Sequence, residues 1–523
     1  MRILLENLHS PEKDYLRLKM VIIVWVGILI MIPIWLNFIQ VYRSPLPFDT
    51  IDSLTDWNNS FKLNIWLYQK QPNNLQSIQK QVQTGLDDIF KATKQKVRLA
   101  FNVETTNDVY VPTLPGNYAL EIICDSKKNS IDVQANRLLK LSLISCKSDY
   151  VSTQIVSTLT SLFIQEYKDL TSGKPAELDK MRVLKYSSQY QLLFSLAVGN
   201  PGDGIVSWDI APAIHHYIQP LIDKFANLST IVVSSQILNY ATLSVQPSKS
   251  FRDQKAVFTL FPKDLTHFIN SAEWNLASVV SADPPIHMIL YIPSSDISPL
   301  QIVQSNGNPL ATNSFLIPQW GGISVKNFKE RYPVTQLKID DLHPVMEIFT
   351  NQLRSLLGIS PLKFHSKDSL LKDFTIKVHE NSAVGVTDWE LDKLIRSRAV
   401  QNVLNTISTL TSLTSMLKNL ENMAVLDHIT ELVDTSLMSL TNATNSMLNG
   451  DFNQASILAR KSIVLAEKAF FDPTMVALLY FPAEHMLAIY MPFFIPIAVP
   501  MISALSKEVK IYMAKRRKLA KKE

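Results

Sequence analysis

Two apolar runs bracket the chain. Met20–Ile39 (MVIIVWVGILIMIPIWLNFI) and Met486–Leu505 are each about twenty residues long and carry no formal charge. At a rise of about 1.5 Å per residue, such a helix matches a hydrocarbon core of roughly 30 Å. Between the runs, short β-rich stretches alternate with amphipathic ones. KVRLAFNV (96–103), YALEIIC (118–124), YQLLFSLAV (190–198), STIVVSSQIL (229–238), IHMILYIP (286–293) and GGISVKNF (321–328) read as strands. SIQKQVQTGLDDIFKATKQ, residues 150–170 and DIAPAIHHYIQPLIDKFA (209–226) read as helices lying between them. This alternation predicts a mixed α/β fold, a sheet covered by helices. From about residue 388 the apolar positions recur at three and four, from Leu391 through Leu420 and again from Leu426 to Leu440, and the pattern is wholly helical. Asp451, with Gln454 three residues on, predicts the start of another helix ending near Pro473. These stripes read as core; a coiled coil with a partner is the alternative, disfavoured by the scarcity of charge beside them.

The expected organisation is therefore an N-terminal tail (1–19), a first transmembrane helix (20–39), an α/β domain (40–385) and a helical segment (386–472). A second transmembrane helix (486–505) and a basic tail (506–523) follow. A cleaved signal peptide is the rival for the first run. Its apolar part is longer than the usual core of such peptides, and QVYRSPLPF, which follows it, lacks a small-x-small cleavage site. Basic residues crowd outside both runs: Arg2, Lys13, Arg17 and Lys19 before the first, and Lys507, Lys510, Lys515, Arg516, Arg517, Lys518, Lys521 and Lys522 after the second. Both termini are thus expected in the cytosol and the large domain on the opposite, luminal side.

The second run carries Pro492, Pro496 and Pro500 at intervals of four, placing them on one helical face. Each proline lacks the N–H that would bond four residues back, so carbonyls at 488, 492 and 496 lose helical partners, a costly loss in lipid. Either local adjustment repairs the kinks or this face docks on other membrane helices.

Charge narrows the function. The chain carries +5; its last 18 residues hold +6 and its first 19 hold +1, leaving about −2 for everything between. No clustered basic surface is available there for nucleic acid. Three N-x-[ST] sequons, at Asn58, Asn227 and Asn442, fall in the luminal part and are candidate glycosylation sites. Cys124 and Cys146 fall there too. The strands YALEIIC and KLSLISC could pair side by side, so a disulfide is one reading and two small buried hydrophobes the other.

The search for catalytic chemistry finds no GxSxG elbow, HExxH helix, P-loop or metal-holding D-x-D. GNPGDG (199–204) reads as a turn. His215 and His216, being adjacent, point about 100° apart on a helix and share a metal poorly. Trp320 before Gly321 and Gly322 sets a large ring beside closely approachable backbone, which suits a hairpin-closing aromatic or a sugar or peptide contact. No catalytic, cofactor or metal residue is assigned.

Several ordered motifs carry a resemblance. VYRSPLPFDTI, YQLLFSL, VSWDIAPAIHHYIQPLIDKFANLS, SSQILNYATLSVQP, PLATNSFLIPQWGGISV and LLYFPAEHMLAIYMPFFIPIAVP resemble, in this order, the S subunit family of the glycosylphosphatidylinositol (GPI) transamidase, the phosphatidylinositol glycan class S proteins, in a fungal form. The resemblance implies a non-catalytic subunit of an endoplasmic reticulum membrane complex that attaches a GPI anchor to the C-terminal end of a proprotein. Its implied partners are a caspase-like catalytic subunit, subunits of the T, U and Gaa types, and membrane lipid, with GPI lipid and proprotein as further contacts. The rival class is a doubly anchored luminal glycan-modifying enzyme, which would need carboxylates converging around Asp209 or Asp340 and Asp341. A tether between membrane and cargo differs from the subunit reading only in its partners.

Overall fold

The computed structural model describes residues 11–39, 42–70, 74–90, 97–172 (less 107, 109 and 110), 183–268 (less 185, 186, 188, 205, 206, 253 and 254), 274, 283–328, 336–420 (less 363, 365–368 and 381–383), 423–477 and 483–519. They form two compact units. The smaller comprises Met1–Thr55, Ile407–Ser436 and Val464–Glu523, the larger Asp56–Thr406 and Leu437–Ile463.

The smaller unit opens with α1 (Pro11–Ile39) and α2 (Phe48–Ser53). The larger begins with a strand the sequence reading passed over, β1 (Asn59–Gln69), where Phe61, Leu63, Ile65 and Leu67 are buried and the residues between them are not. This is the period-two pattern of a strand with one face on a core. Then come α3 (Leu75–Phe90), β2 (Val97–Thr106), β3 (Asn117–Ile123), β4 (Ser130–Val133), β5 (Leu138–Ser142) and α4 (Ser148–Ser172). On α3, Leu75, Ile78, Val82, Leu86 and Phe90 are buried at helical spacing, and the helix packs on α4 and β2.

The chain continues through β6 (Gln189–Val198), β7 (Ser207–Trp208), α5 (Ile210–Ala213), a π-helical turn (Ile214–Ile218), α6 (Gln219–Phe225) and β8 (Thr230–Asn239). After the hairpin β9 (Ser248–Arg252) and β10 (Lys255–Leu260) come β11 (Pro285–Ile292), β12 (Leu300–Ile302), β13 (Ser314–Ile317), β14 (Gly321–Val325), β15 (Gln336–Leu337) and α7 (Ile339–Leu357), and then β16 (Thr375–Val378).

The two main sheets share one plan. The first has the order β16-β4-β5-β3-β1-β2 and the second β13-β14-β11-β6-β8. In each, the opening strand (β1 or β6) pairs in parallel with the next major strand on one side (β2 or β8) and with a later one on the other (β3 or β11). A further parallel strand (β5 or β14) follows, edged by an antiparallel strand (β4 or β13), and a long helix (α4 or α7) closes the set. Matched element by element, the larger unit is a tandem pair of the same βαβ-based motif. The second copy is enlarged by the β9–β10 hairpin, and the first is extended by β16 alongside β4.

Central strands are buried on both faces, as parallel strands covered by helices are: β6 from Leu192 to Val198 and β11 from Ile286 to Ile292. One face of the second sheet holds Ala197, Ile289, Tyr291, Ile323 and Val325 around Phe268 and Trp274, and the Trp274 ring stacks on Tyr291 at 5.8 Å.

The remaining helices are α8 (Asp388–Asn419), α9 (Asp427–Leu448), α10 (Phe452–Phe470), α11 (Pro473–Ala477) and α12 (Ala483–Leu519). The expected helical start is present, since Asp451 accepts from the Gln454 N–H at 3.1 Å. The mixed α/β architecture thus stands. Among the described residues no helix is long and apolar enough to cross a membrane; the described side chains of α1 are Leu16 and Lys19–Ile34.

Candidate functional site

The smaller unit brings the chain just after α1 against the C-terminal end of α8. A helix leaves its last carbonyls without intrahelical donors. Arg43 supplies them from outside: Nε donates to Met423 O at 2.9 Å, and Nη2 donates to Leu417 O at 3.2 Å and to Leu420 O. Backbone bonds lock the strap in place, Ser44 N–H to Val425 O at 2.8 Å and Val425 N–H to Tyr42 O at 3.2 Å. The Tyr42 hydroxyl donates to Asp427 at 2.6 Å, which lowers the carboxyl pKa of Asp427 and raises that of the phenol. Lys418 closes the far side on Asp52 at 2.7 Å and lies over the Phe48 ring.

A second clasp holds the far end of the helical segment. Asp472 accepts from the Thr474 hydroxyl and N–H and pairs with His428 Nε2 at 2.9 Å; the threonine bonds chiefly lower its carboxyl pKa. Both Asp427 and Asp472 therefore stay charged to lower pH than ordinary carboxylates, and their bonds weaken only as pH falls below the usual carboxylate range. Residues 42–48 and 471–473 thus form a collar on the helical segment, one following α1 in sequence and the other preceding α12.

The terminal helices themselves pack on one another. Among the described side chains, the half-buried ones on α1 are Val21, Trp25 and Ile28; on α12 they are Tyr490, Ala498, Met501, Ala504 and Ile511, with Glu508 buried. Small residues at such a seam let two helices approach closely. Pro492, Pro496 and Pro500 lie elsewhere on α12 and are exposed, among exposed Phe494, Ile495, Ile497 and Val499. The Ser503 hydroxyl donates to Val499 O and Pro500 O, supporting the backbone next to the last proline.

The other candidate residues have local partners, and the turn after Asp209 packs on α7. Asp209 precedes α5 and takes a bond from Gln336; Asp341 accepts from the Lys338 N–H at the start of α7, where Asp340 also lies. His215 and His216 sit in the π-helical turn, and Tyr217 there stands edge-on between the rings of His216 and His343 at 4.7 and 5.3 Å. GNPGDG forms a 3₁₀ turn, with Asn200 capping the Gly202 N–H and Asp203 holding the Ser295 N–H. Trp320 closes the β13–β14 turn and stacks on buried His287 at 4.4 Å. Burial lowers the pKa of that imidazole to about 4, so it is neutral at neutral pH. The glycines after the tryptophan are required by space: a Cβ on Gly321 would lie 2.0 Å from His287 O, and one on Gly322 2.1 Å from Gln352 Oε1. Among the described residues no group of three or more His, Cys, Asp or Glu is placed to hold a metal ion.

Cys124 and Cys146 are free thiols brought together by the pairing of residues 123–126 with 142–143. Cys124 accepts from Gln69 at 3.2 Å and Cys146 contacts Asp125 at 3.6 Å. Burial and then the neighbouring Cys146 thiol push the Cys124 pKa up to about 12. The three sequon asparagines, Asn58, Asn227 and Asn442, are exposed.

The larger unit also holds a buried charge network that was not among the sequence expectations. Arg396 on α8 grips Glu166 of α4 through Nε at 2.5 Å and Nη2 at 2.8 Å, and its Nη1 donates to the Tyr118 hydroxyl at 2.5 Å. One turn earlier, Asp392 takes two bonds from Arg137, both at 2.7 Å. Burial opposes the Arg396 charge, but Glu166 and Tyr118 outweigh it and its pKa is raised. The signal available was Asp392 and Arg396 four apart on the same face as Trp389 and Ala399.

Comparison with known proteins points one way. The family model described as "Phosphatidylinositol-glycan biosynthesis class S protein" matches residues 22–515. A mouse protein named GPI-anchor transamidase component PIGS is 35% identical over 350 residues, 66% of this chain and 61% of that protein. A Schizosaccharomyces pombe protein named GPI transamidase component PIG-S homolog is 27% identical over 524 residues, 98% of this chain and 87% of the relative. A Saccharomyces cerevisiae protein named GPI transamidase component GPI17 is 25% identical over 508 residues, covering 90% and 87%. The alignment with the mammalian relatives thus spans about 61% of their length.

Proposed function

The chain belongs to the phosphatidylinositol-glycan biosynthesis class S family, and from that membership we propose that it is a non-catalytic subunit of a GPI transamidase in the endoplasmic reticulum membrane. The observation that carries this is the family match along residues 22–515, with relatives named as components of that transamidase. In this reading catalysis is left to a caspase-like subunit accompanied by T, U and Gaa-type subunits.

In this reading α1 and α12 cross the bilayer, both ends are cytosolic, and residues between them are luminal. The uncharged run Met20–Ile39 lies within one helix, and Ile22, Ile23, Val26, Leu29 and Ile30 are about half exposed or more; lipid is the solvent that tolerates such a surface. The divisions 1–19, 20–39, 40–385, 386–472, 486–505 and 506–523 are the corresponding tail, span and luminal segments. Glycosidase digestion of the chain from cells is expected to shift its mobility, and replacing Asn58, Asn227 and Asn442 with glutamine is expected to abolish the shift. A wild-type chain carrying no glycan at any of the three would count against a luminal domain.

The exposed proline row of α12 is the proposed docking face for partner helices, because the prolines are exposed and the carbonyls they leave without helical donors need company in lipid. Leucine at 492, 496 and 500 together is expected to lower recovery of partner subunits about tenfold, which corresponds to roughly 1.4 kcal/mol; unchanged recovery would sink the docking role. In an oxidising lumen, Cys124 and Cys146 are proposed to join. Both thiols lose their protons and pass two electrons to the disulfide of an oxidoreductase by exchange. A non-reducing peptide map is expected to link the two cysteine peptides, and unlinked peptides from native chain would refute the bond.

A further inference from the structure

The tandem plan of the larger unit makes its sheet edges directly comparable, and they differ. In the first sheet the outer edge of β2 is shut from the side by α3: Gln79 donates to Val103 O at 2.7 Å, and Gln83 both donates to Phe101 O at 2.8 Å and accepts from the Val103 N–H at 2.9 Å. β2 also carries Arg98 and Glu104, the charges by which edges resist pairing. The opposite edge, β16, is four residues long. In the second sheet the β13 edge is equally short, and Gln352 occupies its Phe315 carbonyl at 2.9 Å.

β8, the counterpart of β2, has none of these guards. All ten of its residues pair with β6 on the inner side, and among the described residues nothing bonds to the backbone of its outer side. No charged residue occurs from Ser229 to Ser248. Val232 and Ile237, which fall on opposite faces of the strand, are 46% and 40% exposed. Ten residues present a ladder about 33 Å long.

We propose that the outer edge of β8 is a strand-addition site that takes an extended, uncharged segment of another subunit of the complex. The outward N–H and C=O groups of alternate residues, unpaired among the described residues, select a polypeptide backbone over any other ligand, since only a strand matches their spacing. Charge complementarity fixes the rest: the apolar, uncharged edge offers no partner to a lysine or glutamate on the incoming strand, whose desolvation would oppose pairing. The occupant comes from the other chains that the transamidase reading supplies, so this inference rests on that reading.

The test places a photo-crosslinking residue at Val232, at Ile237 and, as a control on the closed edge, at Arg98, in the full-length chain within cells. The assembled complex is then isolated and the linked peptides identified. The expected result is linkage from 232 and 237 to one uncharged segment of another subunit, at least about tenfold above the Arg98 control. Lysine at 232 and 237, which an edge strand tolerates without loss of the sheet, is expected to reduce linkage from Ser235 to the same segment by a similar factor. Linkage no higher than the control in a complex that retains its other subunits would overturn the proposal while leaving the subunit reading intact. Linkage to a second copy of this chain would overturn it equally. If no other subunit accompanies the chain, the subunit reading fails first, and the β8 proposal with it.

Discussion

Arg396→Ala is expected to destabilise the larger unit by about 3–5 kcal/mol, the usual cost of removing one member of a buried ion pair. The side chain is 1% exposed, and its loss strands both Glu166 oxygens and the Tyr118 hydroxyl in the interior. In cells such a loss lowers abundance severalfold; in detergent-purified chain it lowers the thermal midpoint. Replacing both partners, Arg396→Met with Glu166→Leu, is expected to recover most of the loss, because no unpaired charge remains. An Arg396→Ala chain that melts like the parent would show that the pair contributes nothing to the fold.

Phe452→Ala should approach the same size, about 3–5 kcal/mol. The ring is fully buried, stacks on Phe61 at 6.1 Å and lies under the Arg396 guanidinium at 5.7 Å. It also fills the space beside Gly116, where a Cβ would lie 2.5 Å from ring atoms and where the backbone turns at φ +86°. Because Phe452 and Arg396 touch, their two losses should not add; a double variant whose destabilisation equals the sum would contradict the shared contact. Denaturant midpoints of the single and double variants check this.

The legible parts of the fold were those whose physics is local. β6 and β11 read as strands because continuous apolar runs suit strands buried on both faces, and α3 read as a helix because its buried residues recur at three and four. β1 was equally legible, from its alternation and from the Asn58-Asn59 and Pro72-Asn73-Asn74 clusters on either side of it. The tandem plan was hidden, since the β9–β10 hairpin and unequal connections separate matching strands by different lengths. Arg43 illustrates the same limit at the collar. The motif around it carries the family resemblance, yet its role as an external cap on α8 depends on carbonyls 374–380 residues away. The network around Arg396 was missed for a similar reason: a charged residue within an apolar stripe reads as surface until the partner, 230 residues distant, is placed against it.

The proline row follows the opposite course. Its spacing alone raised the question of what a proline-bearing apolar helix faces, and the structure leaves Pro492, Pro496 and Pro500 exposed while Ala498, Met501 and Ala504 are half-buried. A chain that supplies two terminal helices, a collar to hold them and an open strand edge on its α/β unit has the attributes of a scaffold.

The most direct test of that account is affinity purification of the tagged full-length chain from gently solubilised membranes, with mass spectrometry of its companions. The account predicts stoichiometric recovery of a caspase-like cysteine protease together with further transamidase subunits. Recovery of the chain without that protease, under conditions that keep other membrane complexes whole, would contradict it.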